Sequence, residues 1–257
     1  MTRSVLFTAV VATAIASIRN PLVRAQARDA APVLAAAREA LGGDRTLGAV
    51  KTFLATGRTR QLRGDNLVPI EFEIACELPD KYVRRDEFPA QDALPAVNGF
   101  RGSDAIGPSK TTREEFARLM LGVFAAAPAA FPLTFTYAAE AEAPEGKADV
   151  LAVAGPDNFA ARFVVQRETH MPVMLIWQAP APGGPGAGGP PPGAGRGAAP
   201  APVDHRVYYA DYRSVNGGVK WPFRIRHAVA GTTIEETTFD RVSINAKIDP
   251  KKFDAPK

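Results

Sequence analysis

The chain has 257 residues, 46% of them hydrophobic and 23% charged, with one cysteine, three histidines and a formal net charge of +4. That composition is globular, one large domain or two small ones, and the lone cysteine excludes an intramolecular disulfide or a zinc site built on thiolates. Arg3, Arg19 and Arg24 lie in a segment read below as removed, which leaves 28 basic against 27 acidic residues and no clustered basic face for a nucleic-acid partner.

The N-terminus reads as a secretory signal. Arg3 precedes an apolar run from Val5 to Ile18, followed by small residues in A-x-A spacing at Ala14–Ala16 and Ala25–Ala27. The run is about 14 residues, short of the roughly 20 that a membrane span needs, so export with cleavage near Ala27 is expected, giving a signal peptide at 1–27. No cysteine follows the run to carry a lipid anchor. The mature protein is expected to be soluble and outside the cytoplasm.

In the mature chain, Asp29 is placed to cap a helix with Leu34, Ala37 and Leu41 on one face, ended by Gly42-Gly43. Asp44 is expected to cap a second short helix carrying Leu47 and Val50. From Phe53 the pattern becomes that of strands. Between Val68 and Leu78 the even positions Val68, Ile70, Phe72, Ile74, Cys76 and Leu78 share one face, and Glu71, Glu73 and Glu77 the other. Cys76 therefore reads as a small buried hydrophobe and the glutamates as a solvated face. Strands follow at Lys81–Glu87 and around Val97–Arg101. Thr112 to Ala126 then carries Phe116, Met120, Val123 and Phe124 along one stripe, with a Thr112-x-x-Glu115 capping box. It is an amphipathic helix set between strands, either covering the sheet or acting as a lid over an apolar cavity.

Strands resume at Leu133–Ala141, Asp149–Ala154, Ala160–Arg167 and Val173–Gln178. Between Ala179 and Val203, 16 of 25 residues are Pro or Gly, a composition that cannot offset its ordering entropy and reads as a disordered, expanded hairpin loop. Its glycines are followed by no Gly-Lys-Ser/Thr, so it is not a phosphate loop. Val207–Ser214, Val219–Val229 and Thr232–Asn245 read as an antiparallel meander with turns at Asn216-Gly217-Gly218 and Ala230-Gly231. Pro222 cannot donate to a ladder, which predicts an edge strand or a bulge there. Ile248, Asp249-Pro250 and Phe253 form a short apolar anchor placed to close one end of the sheet.

No catalytic constellation is legible. His170, His205 and His227 are far apart in sequence with no HExxH spacing, and there is no G-x-S-x-G elbow. His227 lies on the apolar side of its strand and reads as a core histidine. Asp204 and His205, adjacent in a strand, point to opposite faces. No cofactor and no metal site is expected, and the chain does not read as an enzyme.

Two stretches carry a family resemblance. Ala40-Leu41-Gly42-Gly43 with Leu47, Val50-Lys51 and Gly57 is one. The other runs from Asp211 to Gly218, then Trp221-Pro222, Val242 to Asn245, and Ile248-Asp249-Pro250 with Phe253 and Pro256. Together they resemble the LolA and LolB type of periplasmic lipoprotein carriers, over about a third of the chain. The resemblance implies an α+β fold, a strongly curved antiparallel sheet (an unclosed β-barrel) of about ten strands with helices covering its concave face, in a single domain at 28–257. It also implies a monomeric periplasmic carrier of lipoprotein acyl chains or lipid, held in an apolar cavity under a helical lid. On that reading the candidate cavity and lid residues are Phe72, Ile74, Phe116, Met120, Phe124 and Phe135. Two other readings stay open: an interaction or sensory module on the same fold that binds another envelope protein, and a secreted enzyme whose site is assembled from scattered residues.

Overall fold

The computed structural model describes residues 29–90, 93–143, 146–181 and 201–254. The signal peptide expected at 1–27 and most of the Pro/Gly-rich stretch at 179–203 lie outside the described residues.

Helix α1 (Ala30–Ala40) starts at Asp29, whose side chain accepts from the Ala31 amide at 3.1 Å. It ends where Gly42 turns to φ 136, a conformation open to glycine. Helix α2 (Asp44–Gly48) follows. Asp44 is its first residue, and Gly43 occupies the cap position that the sequence assigned to Asp44. The strands are β1 (Thr52–Arg63), β2 (Asn66–Glu77), β3 (Lys81–Glu87), β4 (Ala96–Arg101) and β5 (Asp104–Ile106). Helix α3 (Thr112–Phe124) comes next. Then come β6 (Thr134–Ala143), β7 (Gly146–Ala154), β8 (Ala160–Gln166), β9 (Pro172–Ala179), β10 (Val203–Ser214), β11 (Lys220–Val229) and β12 (Thr232–Ile244).

All twelve strands form one antiparallel sheet in the order β5-β4-β3-β2-β1-β12-β11-β10-β9-β8-β7-β6. It is strongly curved and unclosed, and the helices cover its concave face. Every neighbouring pair is a sequence-adjacent hairpin or meander except β1–β12, which joins the two halves. Alternation sends one set of side chains inward to a large core with the helices and the other set outward.

Sequence and structure differ at three further places. Pro222 lies in an interior strand, not an edge. It is tolerated because the β11–β12 ladder runs only from Arg224 to Val229, so the Pro222 nitrogen faces no acceptor across that seam. The expected capping box is replaced by Thr111 at the cap, with its hydroxyl bonded to Glu115 Oε1 at 2.6 Å, while Thr112 bonds back to the Ser109 carbonyl at 3.3 Å. The C-terminal anchor does not close an end of the sheet. The 3-10 turn Pro250–Phe253 lies on the outer face, where Phe253 packs with Ala75, Val83 and Ile106.

The two ends of the strands are built differently. At one, here the junction end, the turn after α1 meets the β10–β11 turn. Lys220 donates its amide to the Leu41 carbonyl at 2.8 Å, and a Cβ on Gly42 would sit 2.7 Å from the Gly218 oxygen. Asn216 bonds both main-chain groups of Ile244, at 2.8 and 2.9 Å. Asn245 accepts from the Lys51 amide at 2.7 Å and donates to the Ala49 carbonyl at 3.1 Å. At the other, open end lie the β1–β2, β3–β4 and β11–β12 connections.

Candidate functional site

The inner face changes character along its length. Next to the junction end it is aromatic and closed: Trp221, Phe53, Phe100 and Phe116 are fully buried. Phe53 meets Trp221 edge-on at 5.2 Å, Trp221 meets Phe239 at 5.6 Å, and Phe116 lies 4.8 Å from Tyr82 and 5.3 Å from Phe100. Two to eight residues further along the same strands the inward positions become Thr59 and Gln61 on β1, Arg84 and Asp86 on β3, Thr237 and Glu235 on β12, and His227 on β11. Between this layer and α3 lies a cavity of about 460 Å³, with Ile70, Ile74, Leu119, Val207 and Ile225 as its apolar wall. The volume falls within the ~300–1,000 Å³ typical of small-molecule sites.

The polar layer is interlocked. Thr59 and Thr237 share a hydrogen bond of 2.8 Å across the β1–β12 seam. Arg84 donates to Thr59 Oγ1 at 3.1 Å and to Asp86 Oδ1 at 2.8 Å. Gln61 donates to Glu235 Oε2 at 3.3 Å. Burial pushes the Glu235 carboxyl up, against the opposing pull of Arg84.

Helix α3 is fastened over this layer by β10. Tyr209 Oη donates to the Arg118 carbonyl at 2.7 Å and Tyr212 Oη to the Gly122 carbonyl at 2.8 Å. The approach requires glycine, since a Cβ at 122 would lie 2.3 Å from the Tyr209 ring. Burial raises both phenols well above their ordinary range, so they stay protonated donors. From α3 the Arg118 side chain, only 14% exposed, reaches Glu114 Oε2 at 2.7 Å and stacks over Trp177 with its Cζ 4.2 Å from the ring centroid. Among the described residues its Nε is buried with no hydrogen-bond partner.

Beside Trp177, His205 and His227 complete a cluster of three rings, each pair of centroids 5.3 Å apart. His205 Nε2 faces the Pro180 carbonyl at 3.1 Å and must donate, so its Nδ1 accepts from His227 Nε2 at 3.1 Å. Burial, with His205 and Arg118 nearby, pushes His227 down to about 4 and keeps it neutral. His227 is thus satisfied, as its strand position predicts, but on the cavity wall. Asp204 points away to Arg206 and Gln178, opposite to His205.

The candidate residues are distributed as follows. Ile74 is on the cavity wall. Phe72 packs edge-on against Phe239 at 5.4 Å with Arg84 over its ring at 4.7 Å. Phe116, Met120 and Phe124 are buried on the α3 face that meets the core, and Phe135 is half-buried at the core's margin. The polar members Arg84, Asp86, Thr237, Glu235 and Arg118 escaped the sequence reading. Their signal was present in the inward positions Tyr82, Arg84 and Asp86 of β3, where polar residues alternate onto the face that β2 fills with Ile70 and Ile74. Among the described residues no group of three or more His, Cys, Asp or Glu is placed to hold a metal ion.

Two further hollows exist. A groove of about 780 Å³ runs over the open ends of β7, β8 and β9 beside the first turns of α3, and shares Glu115, Arg118 and Trp177 with the cavity. A crevice of about 920 Å³ on the outer face is lined by interleaved charges of the solvated side, including the pairs Lys252–Glu73 and Arg58–Asp240.

Solved structures with the same arrangement include a LolA superfamily protein from Nitrosomonas europaea. It is 12% identical, with a TM-score of 0.57 over 89% of this chain and 98% of that one. The chain has a LolA-like fold. A putative outer membrane lipoprotein-sorting protein domain from Vibrio parahaemolyticus is 9% identical, with a TM-score of 0.54 over 88% of this chain and 97% of that one. A DUF1329 family protein from Desulfovibrio piger is 6% identical, with a TM-score of 0.51 over 88% and 97%. No protein-family model and no curated protein sequence matches the chain. At these identities the LolA-like likeness is one of fold.

Proposed function

We propose that this LolA-like chain is a non-enzymatic periplasmic carrier, exported by its N-terminal signal, that holds the acyl part of a lipid or lipidated protein beneath α3. The observation that carries the reading is the cavity of about 460 Å³ between the inner face and α3, apolar on one wall and polar on the other. An acyl chain gains ~0.8 kcal/mol per methylene on leaving water, and Ile70, Ile74, Leu119, Val207 and Ile225 offer that shelter. In this role Ile74 touches the ligand, Phe72 and Phe135 back the wall, and Phe116, Met120 and Phe124 hold α3 to the core as it covers the site. Among the described residues no helix is long and apolar enough to cross a membrane. The fold shared with a lipoprotein-sorting domain adds support.

The test is native mass spectrometry of mature protein purified gently from the periplasm, with organic extraction of bound material and a parallel titration of stripped protein with acyl-chain probes. Co-purifying lipid or acylated protein, or uptake of the probes, is the expected result. A protein that carries nothing and takes up no acyl chain overturns the reading.

A further inference from the structure

The outer face of the sheet is not evenly charged. On β2 and β3 its outward positions carry Glu71, Glu73 and Glu87, with Arg85 among them. Arg58, paired with Asp240 at 3.3 Å, marks a border, and beyond it the sign reverses. Arg60 and Arg226 face Glu236 from the two sides of β12, and Arg224 lies two residues from Arg226 on β11. Tyr208 continues the row past Arg226, with Arg206 two residues away on β10. Arg206 and Arg162 in turn face Ile176 from the two sides of β9. The chain neighbours Thr59, Phe163, Val207 and Ile225 belong to the inner side, so the period of two turns all five guanidiniums outward. From β1 to β8 the stripe crosses six strands and is about 24 Å wide.

The stripe sets five arginines against two acids, Glu236 and Asp204, a net of +3. Arg224 lies 3.5 Å from Glu236 and Arg206 3.0 Å from Asp204. Arg60, Arg162 and Arg226 are exposed and form no ion pair among the described residues. The Nε of Arg206 is buried with no hydrogen-bond partner among them. Arg226 lies 4.4 Å over the Tyr208 ring, and Met174 and Ile176 are the outward residues beside it on β9. After residue 27 the chain carries 28 basic against 27 acidic residues, and no stretch of the sequence concentrates these five. Only the register of the sheet gathers them.

Guanidiniums hold phosphate oxygens in bidentate pairs. Spread over a convex face at intervals of roughly 10 Å, two strands apart, they suit phosphates that move laterally to meet them. Tyr208, Met174 and Ile176 add the aromatic and apolar groups that settle at a headgroup layer. We infer that this arginine stripe docks the protein on the surface of an anionic phospholipid bilayer. The contact is peripheral: headgroup phosphates accept from Arg60, Arg162, Arg206, Arg224 and Arg226, and no segment enters the hydrocarbon. It needs no cargo in the cavity and is independent of the carrier reading.

The experiment is co-sedimentation of full-length mature protein with vesicles of phosphatidylcholine, alone or with about 30 mol% phosphatidylglycerol, at about 0.05 M and about 0.5 M salt. Wild type is compared with Arg60→Gln/Arg226→Gln and with Arg45→Gln/Arg85→Gln, which removes the same charge from exposed positions elsewhere. The wild type is expected to partition onto the anionic vesicles about tenfold or more above the neutral ones, and high salt to release it. The stripe variant should lose about tenfold and the other variant no more than about twofold. The salt dependence of the wild type needs no variant, and thermal unfolding shows that both variants are folded. Equal binding to neutral and anionic vesicles, binding that salt does not weaken, equal losses in the two variants, or no binding to either vesicle each overturns the inference. Uptake of acyl-chain probes by the same proteins decides the carrier reading separately.

Discussion

The junction end and the open end of the inner face are made from the same strands, yet they solve opposite problems. Phe53 and Gln61 lie on one strand, Tyr82 and Asp86 on another, and Trp221 and His227 on a third. At the junction end the large rings leave no space, and main-chain hydrogen bonds of the Asn216 and Asn245 side chains lock the turns. At the open end the same alternation presents hydroxyls, carboxyls, guanidinium and imidazole groups around a cavity. A sheet face can thus be a packed scaffold over half its length and the wall of a cavity over the other half. What distinguishes them is whether the inward side chains fill the space or only line it.

That contrast can be broken by unequal mutations. The largest expected effect is at the junction end: Trp221→Ala empties the centre of a fully buried aromatic cluster and should cost about 3–5 kcal/mol in urea unfolding. A loss below about 1 kcal/mol would mean that this end is no tighter than the other.

The next effect belongs to the open end and depends on pH. His227 falls from its ordinary 6.5 to about 4 on folding, so between those values the unfolded chain binds more protons than the folded one. Stability therefore rises with pH across that window and is lost as pH falls through it, by about 2–3 kcal/mol after allowing for partial exposure. Thermal unfolding of the wild type and His227→Gln at pH values from 7 down to 4 checks this. The variant should lack that part of the slope, and parallel curves would assign the acid sensitivity elsewhere.

The smallest effect sharpens the comparison at the seam. Thr59→Val or Thr237→Val leaves one hydroxyl of a buried 2.8 Å pair without its partner and should cost about 1 kcal/mol in chemical denaturation. The double variant should cost less than the sum of the two. Strict additivity would show that the two hydroxyls do not act as a unit.

The same division explains what the sequence made legible. The strands from Val68 to Leu78 and from Val219 to Val229 were readable because one face is buried and alternation is plain. The stretches that resemble the carriers were readable because they form one physical object: Leu41–Gly43 and Asn216–Gly218 meet at the junction end, where glycine and asparagine are required by close approach and by main-chain bonding. These residues hold the scaffold, which is why they announced the fold. The site was less legible because its polar members come from β1, β3, β11, β12 and α3, one or two from each, and no local spacing marks them. Arg118 reads in sequence as the polar side of an amphipathic helix. Only the docking of α3 on β10 turns it inward onto Trp177.

The pairing of β1 with β12 also sets an order in time. Thr59 and Thr237 are 178 positions apart, and the chain must close that entire loop before the two halves of the sheet become one. Local meanders, β2 with β3 or β10 with β11, can form early because their partners are near. The cavity cannot, since Thr59 and Glu235 reach it from opposite sides of the seam. Until the last strand is laid down the protein consists of two half-sheets with exposed edges, a state prone to pair with other chains. The cavity and the cover of those two edges therefore arrive together, when β1 and β12 pair.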